Sequence, residues 1–155
     1  MAEYTLDGAV QRFGGLLPSG NITGYHVQIK TDEAGKITGL KSDAAPAAGD
    51  VLRLKKLPAG MILMDSLVVV SKAIGGLSGS LGFAYADGVD DENVPEDEAH
   101  FGAALTLSAA ARLRCTTSKA MVRLPKEAWL TLTIAGAPSG EGLAYIVVFG
   151  ERMGE

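Results

Sequence analysis

The residue types that most often carry chemistry are sparse in this chain and stand far apart. The 155 residues include two histidines, His26 and His100, and one cysteine, Cys115. Neither histidine lies in an H-x-H or H-E-x-x-H pattern, the spacings typical of zinc ligands. A lone cysteine is more often a small buried apolar side chain than a nucleophile. The sequence therefore favours neither a histidine-based metal site nor thiol chemistry.

The densest group of ionisable side chains is the segment DGVDDENVPEDE, residues 87–98, which holds seven carboxylates. Calcium prefers such oxygen ligands, but the spacing differs from the D-x-[DN]-x-[DN]-G calcium loop. Three interpretations stay open: a solvated charged loop, a calcium site, or a surface facing a basic patch on a partner, where charge would set register. We favour a loop without metal, and we take Asp90, Asp91 and Glu92 as candidate interface residues.

Glycine- and serine-containing motifs do not match known catalytic loops. Glycines at 75, 76, 79 and 82 lie between two strand patterns, whereas a phosphate-binding loop leads into a helix. Residues 78–82 read S-x-S-x-G, not the G-x-S-x-G of a hydrolase nucleophile. We therefore expect no enzyme activity and no bound cofactor.

Composition excludes several classes of partner and location. The net charge of −4 argues against a nucleic-acid partner, which selects for basic surfaces. The apolar stretch 54–72 is interrupted by Asp65, Ser66 and Lys72, so it fails as a membrane span of ~20 apolar residues. The acidic N-terminus does not resemble a secretory signal. A single cysteine excludes an internal disulfide and fits a reducing compartment.

The elements that must position any site are predicted to be strands. Stretch 54–72 contains three consecutive valines and is bounded by Pro, Gly and Gly-Gly, which favours a strand covered on both faces or central in a sandwich. Residues 99–112 fit either a helical turn or a loop with a short strand at 104–107. About eight to ten short strands separated by turns indicate an all-β sandwich or barrel. The other predicted strands lie in a hairpin at 24–41 and at 51–54, 77–85, 120–124, 129–134 and 143–149.

Residues 1–23 show neither helical nor strand periodicity, and we predict an extended N-terminal arm, followed by a β-sandwich domain at 24–155. A first strand with a loop is the alternative. An arm with apolar residues but little regular structure gains order by lying on another surface. The candidate contact residues of the arm are Tyr4, Leu6, Phe13, Leu16 and Leu17.

Two long segments carry a recognisable order of strands and turns. In LPAGMILMDSLVVVSKAIGGLSGSLGFAYADG, residues 57–88, an apolar strand leads through a Gly/Ser-rich turn into a strand of small residues. In AWLTLTIAGAPSGEGLAYIVVFGE, residues 128–151, two strands flank a Gly-rich turn. This arrangement resembles the capsid decoration (cement) proteins of tailed bacteriophages. The resemblance covers roughly residues 50–151 and implies a jelly-roll-like antiparallel β-sandwich.

The resemblance also implies a function. A decoration protein binds the outside of the virion capsid, bridges subunits of the major capsid protein and stabilises the shell without catalysis. It implies synthesis in the bacterial host cytoplasm and a homo-oligomer, for which we favour a trimer over a dimer. No nucleic acid and no membrane are expected as partners. The alternatives are a phage tail- or fibre-associated β domain, and a calcium- or carbohydrate-binding β-sandwich module.

Overall fold

The computed structural model describes residues 2–5, 22–42 and 44–152, and these ranges contain ten strands and no α-helix. The long strands are rich in Val, Ile, Leu and aromatic residues, which favour extended backbone. Within the described ranges no helix is long and apolar enough to cross a membrane. The strands are β1 Glu3–Thr5, β2 Ile22–Thr31, β3 Val51–Leu57, β4 Met61–Lys72, β5 Ser78–Tyr85, β6 Asp97–Thr106, β7 Ala111–Arg114, β8 Val122–Arg123, β9 Ala128–Gly136 and β10 Gly142–Arg152.

The strands form two sheets that pack as a sandwich. The first sheet has the order β1-β3-β9-β5-β6, and the second has the order β2-β10-β4-β7, with β8 also paired to β4. The described pairs are antiparallel apart from β1 and β3, which run parallel. The prediction of an all-β sandwich is confirmed. The jelly-roll-like character remains a prediction from the resemblance.

The core between the sheets is built by side chains that alternate along each strand. Every second residue of β2 from Tyr25 to Thr31 is buried, and β10 alternates in the same way from Gly142 to Gly150. Burying a large apolar side chain contributes about 1.5–3 kcal/mol. The core therefore supplies most of the driving force for folding. The largest fully buried side chains include Phe83, Phe101, Ile29, Ile37, Leu52 and Met61.

The most apolar stretch of the sequence forms the end of β3, a tight turn and β4. The predicted strand is confirmed, and β4 lies centrally in the second sheet between β10 on one side and β7 and β8 on the other. One face of β4 lies in the core, where Val68 and Val70 are buried. On the other face Leu67 and Val69 are only half-buried. Strand β10, which the sequence predicted as buried, is likewise buried on one face.

The N-terminal strand is held to the first sheet by the Asp50 carboxylate. The backbone N–H of Ala2 donates to Oδ1 of Asp50 at 3.0 Å, and the N–H of Ala47 donates to Oδ2 at 2.9 Å. Strand β1 then pairs with β3, so Tyr4 lies opposite Leu52. The predicted arm therefore has residues 3–5 in a strand, and β2 begins at Ile22. Residues 6–21, the rest of the predicted arm, lie outside the described residues, and the domain boundary after residue 23 remains a prediction.

Two local expectations differ from the observed structure. The hairpin predicted at 24–41 is reduced to the bridge between Thr31 and Ile37, and the long pairing of β2 is with β10. Ile37 and Leu40 turn into the core instead of extending a strand. Of the two alternatives for residues 99–112, the helical turn is wrong, and the short strand at 104–107 is found only as part of a longer strand, because β6 runs from Asp97 to Thr106 against β5.

Candidate interaction surface

The outer faces of the two sheets differ in chemistry. On the first sheet the outward positions carry small or polar residues such as Ser80, Ala84 and Thr133. Trp129 lies on this face but is buried, with Lys56 Nζ 5.2 Å and Arg53 Cζ 5.9 Å from its ring centroid. The two cationic side chains cover the indole. The first sheet thus presents a mostly polar surface.

The second sheet presents a largely apolar outer surface, which is interrupted on its β2 side by His26 and Gln28 and at one end by Glu151. The strand register places outward side chains of β2, β10, β4 and β8 in adjacent rows, with Tyr145 beside Val69 and Val147 beside Leu67. The His26 ring stacks on Tyr145 with 5.6 Å between centroids. We name this surface the apolar face. It comprises Ile22, Ile62, Met64, Leu67, Val69, Met121, Leu143, Tyr145, Val147 and Phe149.

The end of the apolar face near β8 is the most exposed. Ile22 is 66% exposed, Met121 63% and Met64 37%. Val122 packs against the core, so Met121 and Arg123 on either side of it face outward, beside Met64 and Ile62. Four large apolar side chains are exposed among the described residues, and three of them lie here. Met64 and Met121 are neighbours, whereas Glu151 lies between Ile22 and the rest of this end. Neighbouring exposed apolar residues mark interaction surfaces.

A β-bulge shapes the middle of the apolar face. Asp65 pairs with Phe149 and Leu63 pairs with Gly150, so Met64 is the extra residue of β4. A bulge turns two successive side chains to one face and increases the local twist. Here Met64 and Asp65 both point outward. Bulges also change the direction in which side chains point, and this one brings the long, flexible side chain of Met64 to the surface.

Cations line both edges of the apolar face. On one edge, Lys30 of β2 lies opposite Leu143 of β10. On the other edge, Arg112 of β7 lies opposite Val69, and Arg123 of β8 lies opposite Ile62. Arg114 forms an ion pair with Asp65, with 2.6 Å between Nη1 and Oδ2. Among the described residues, no ion pair engages Lys30, Arg112 or Arg123. The edge of the face at β7 and β8 is therefore net basic, and we call this edge the basic rim, whereas Lys30 on the β2 edge interacts with Glu141, and Glu151 lies on the face opposite Ile62.

Residues 87–98, the acidic loop, are folded by their own carboxylates. Oδ1 of Asp90 accepts hydrogen bonds from the N–H groups of Asp91 at 2.8 Å and Glu96 at 2.7 Å. Oδ1 of Asp91 accepts from the N–H groups of Asn93 and Val94, each at 2.9 Å. Two of the three predicted interface residues in this loop thus also determine its shape. The third, Glu92, is exposed.

Tyr85 and Lys126 join the acidic loop to the sandwich. The Tyr85 hydroxyl donates to the carbonyl oxygen of Val94 at 2.6 Å, and Lys126 Nζ lies 4.6 Å from the Tyr85 ring centroid. Lys126 also donates to Oδ2 of Asp87 at 2.8 Å and to the carbonyl oxygen of Val89. Burial, together with the surrounding carboxylates, raises the pKa of Tyr85 to about 12. The hydroxyl therefore stays protonated and keeps donating to the loop.

An open cleft of about 460 Å³ separates the acidic loop from residues 119–122. At its base His100 is buried against Phe83 and Phe101, and burial lowers the pKa of its imidazole. Burial acts to raise the pKa of Asp97, but hydrogen bonds from Lys119 and an amide outweigh it, so the pKa is lowered. Among the described residues, no three His, Cys, Asp or Glu side chains lie close enough together to hold a metal ion.

The predicted contact residues of the arm are only partly visible. Tyr4 is half-buried and packs against the core. Leu6, Phe13, Leu16 and Leu17 lie outside the described residues, so their contacts remain a prediction. The apolar face was missed from the sequence. The sequence signal for this face was the lack of polar residues in LAYIVVF, residues 143–149. That pattern indicated burial, but it did not tell which face of the strand would stay exposed to solvent.

Comparison with known proteins gives two structural matches. No family model matches the chain, and no curated protein matches it. The fold is similar to that of a chain in the capsid of Ralstonia phage GP4, at 18% identity and a TM-score of 0.66, over 99% of this chain and 100% of that one. It is also similar to a chain in the capsid asymmetric unit of cyanophage Pam1, at 12% identity and a TM-score of 0.57, over 95% and 96% of the two chains. The chain therefore shares its whole β-sandwich fold with components of two phage capsids.

Proposed function

We propose that this protein is a decoration protein of a tailed-phage capsid. It binds the exterior of the assembled shell, bridges subunits of the major capsid protein and acts as a trimer. It is made in the host cytoplasm and is not an enzyme. The observation that carries the proposal is the structural match to chains of two phage capsids, which covers nearly the full length of this chain and of each matched chain.

The length correspondence supports a small accessory component of a shell. A match over nearly all of each chain means that the neighbours are single sandwiches of similar size, without an additional large domain. The resemblance at residues 57–88 and 128–151 also favours this class.

The surface chemistry supports a binding role. A shell-bound oligomer needs exposed apolar area and complementary charge for the contacts between its copies, and the apolar face with its basic rim supplies both. Binding to the assembled shell, but not to free subunits, stabilises the shell by linkage, and many copies multiply the gain. None of this requires a bond to be made or broken.

Sedimentation with capsids tests the proposal directly. The purified protein is mixed with capsids that lack it, and with free major capsid protein as the control. We expect co-sedimentation with capsids at a fixed stoichiometry, a rise in the temperature at which capsids release DNA, and no binding to free subunits. Equal binding to free subunits, or no binding to capsids, would refute the proposal. Addition of calcium or chelator during the same melts tests the calcium-binding alternative, which predicts a shift that the decoration role does not.

A further inference from the structure

We propose that copies of this chain associate head to tail, with the acidic loop of one copy seated on the apolar face of the next. The inference deepens the proposed function, because it rests on the self-association named there and assigns the two surfaces that form it. The sheet face is the receiving surface. A second copy of this chain is the occupant.

The apolar face requires cover. Its central side chains, Tyr145, Val147 and Leu67, are half-buried, and its end near β8 exposes Met64 and Met121. Removing such area from water contributes about 25 cal/mol per Å². The sandwich core already covers the inner side of the same strands, so the cover must come from outside this copy's core. A partner with an apolar contact point and negative charge fits best.

Two copies that met through their apolar faces would not provide opposite charges for the basic rim. In a face-to-face pair whose β7 and β8 edges meet, Arg112 and Arg123 of each copy lie near those of the other, and like charges in a desolvated contact are unfavourable. A heterologous contact, which joins this face to a different surface of the neighbour, avoids that repulsion.

The acidic loop is the complementary surface on the same chain. Val89, the fourth exposed large apolar side chain, is 62% exposed in the loop among carboxylates. Val89 is an apolar side chain surrounded by carboxylates, and the apolar face is an apolar surface beside a basic rim, so the two surfaces are complementary. The internal hydrogen bonds of Asp90 and Asp91 hold the loop in one shape, which lowers the entropy lost on docking.

The two surfaces belong to different sheets, which permits a ring. The acidic loop leaves the first sheet after Tyr85, while the apolar face belongs to the second sheet. Each copy can therefore offer its loop to one neighbour and accept the loop of another. Heterologous contacts of this kind close into rings when the rotation permits, and a ring of three matches the proposed trimer.

A mixing experiment tests the head-to-tail contact. The face variant Val147→Lys keeps an intact loop, and the loop variant with Val89→Lys and Glu92→Lys keeps an intact face. Met121→Lys, at an exposed position, is a second face variant that leaves the strands undisturbed. Ala135→Lys on the first sheet and Glu33→Lys in the 32–35 turn are matched controls at exposed positions. Mass is measured by light scattering after size exclusion, without capsids, and folding by circular dichroism.

The wild type and both controls are expected to form the same closed oligomer. Each defective variant alone is expected to be monomeric, with association weakened at least tenfold, whereas an equimolar mixture of face and loop variants forms a one-to-one pair through the single remaining contact. A monomeric wild type, an oligomeric loop variant or a mixture that stays monomeric would overturn the inference. Capsid sedimentation separates the two claims. A monomer that binds capsids refutes the head-to-tail contact and the trimer but leaves the binding to capsids in place, and an oligomer that does not bind capsids refutes only the decoration role.

Discussion

The Asp97 carboxylate lies 3.8 Å from Nδ1 of His100, and both side chains are largely buried, with 7% of His100 and 22% of Asp97 exposed. Burial favours the neutral imidazole and lowers its pKa, Asp97 opposes that shift and Lys119 adds to it. The group is thus held uncharged beneath the cleft, between aromatic rings.

Stability should fall as the pH drops below neutral, and His100 should account for the first part of the fall. The unfolded chain takes up a proton on this imidazole near pH 6.5, whereas the folded chain resists protonation, so protonation favours unfolding. Asp97, whose pKa is lowered in the fold, adds a second loss as the pH falls below about 4. Melting temperatures at pH 7.5, 6.5 and 5.5 measure the first loss. His100→Asn should reduce the fall in melting temperature over this pH range, and His26→Asn, at an exposed position, should not. Equal dependence of the melting temperature on pH in the two variants would contradict the assignment to His100.

Removal of the Asp50 carboxylate should release the N-terminal strand. In Asp50→Ala the N–H groups of Ala2 and Ala47 lose their acceptors, and β1 has only three residues to hold it against β3. We expect a lower melting temperature and faster amide exchange at residues 3–5, with slow exchange retained in β10. Glu33→Ala, at an exposed turn position, serves as the control. Unchanged exchange at residues 3–5 would show that pairing with β3 suffices.

Substitution of Gly82 should separate β5 from β6. A Cβ atom at this position would lie 1.9 Å from the carbonyl oxygen of Asp97, and the contacting atoms are backbone that cannot rotate away. Gly82→Ala is expected to lower the free energy of unfolding by about 3 kcal/mol through overpacking. At Gly24 the nearest heavy atom to a built Cβ is 3.4 Å away, so Gly24→Ala is the matched control and should change stability little. Urea titrations measure both, and equal midpoints would contradict the close approach.

The acidic loop should loosen when Lys126 is replaced. Lys126→Met keeps the length of the side chain but removes the charge over the Tyr85 ring and the hydrogen bonds to Asp87 and Val89. The cation–π contact alone contributes about 0.5–1 kcal/mol. We expect faster amide exchange at residues 87–96 with little change in β9. Lys41→Met, at an exposed position away from the loop, is the control, and protection that persists in Lys126→Met would mean that Tyr85 and the loop carboxylates suffice.

Local patterns were enough to predict the strands whose two faces differ. Tyr25, Val27 and Ile29 alternate with polar residues, and Leu130, Leu132 and Ile134 alternate with Trp129, Thr131 and Thr133, so period-two alternation located β2 and β9. The same logic failed at 36–41, where alternation predicted a strand but Ile37 and Leu40 point into the core from a turn. It also failed at 99–106, where alanines suggested a helical turn but the residues form part of β6. Short-range propensity is weak in both segments, and pairing with distant strands decided the outcome.

By itself the sequence determined the β class and the acidic character of residues 87–98, because these follow from composition, alternation and turn residues close together in the chain. Only the tertiary structure decided which apolar residues stay in contact with solvent. Residues 143–149 and 67–70 have no polar alternation, so the side that faces the core depends on which strands pair with them and from which side the first sheet packs. Those are contacts between residues far apart in sequence, and no local pattern encodes them.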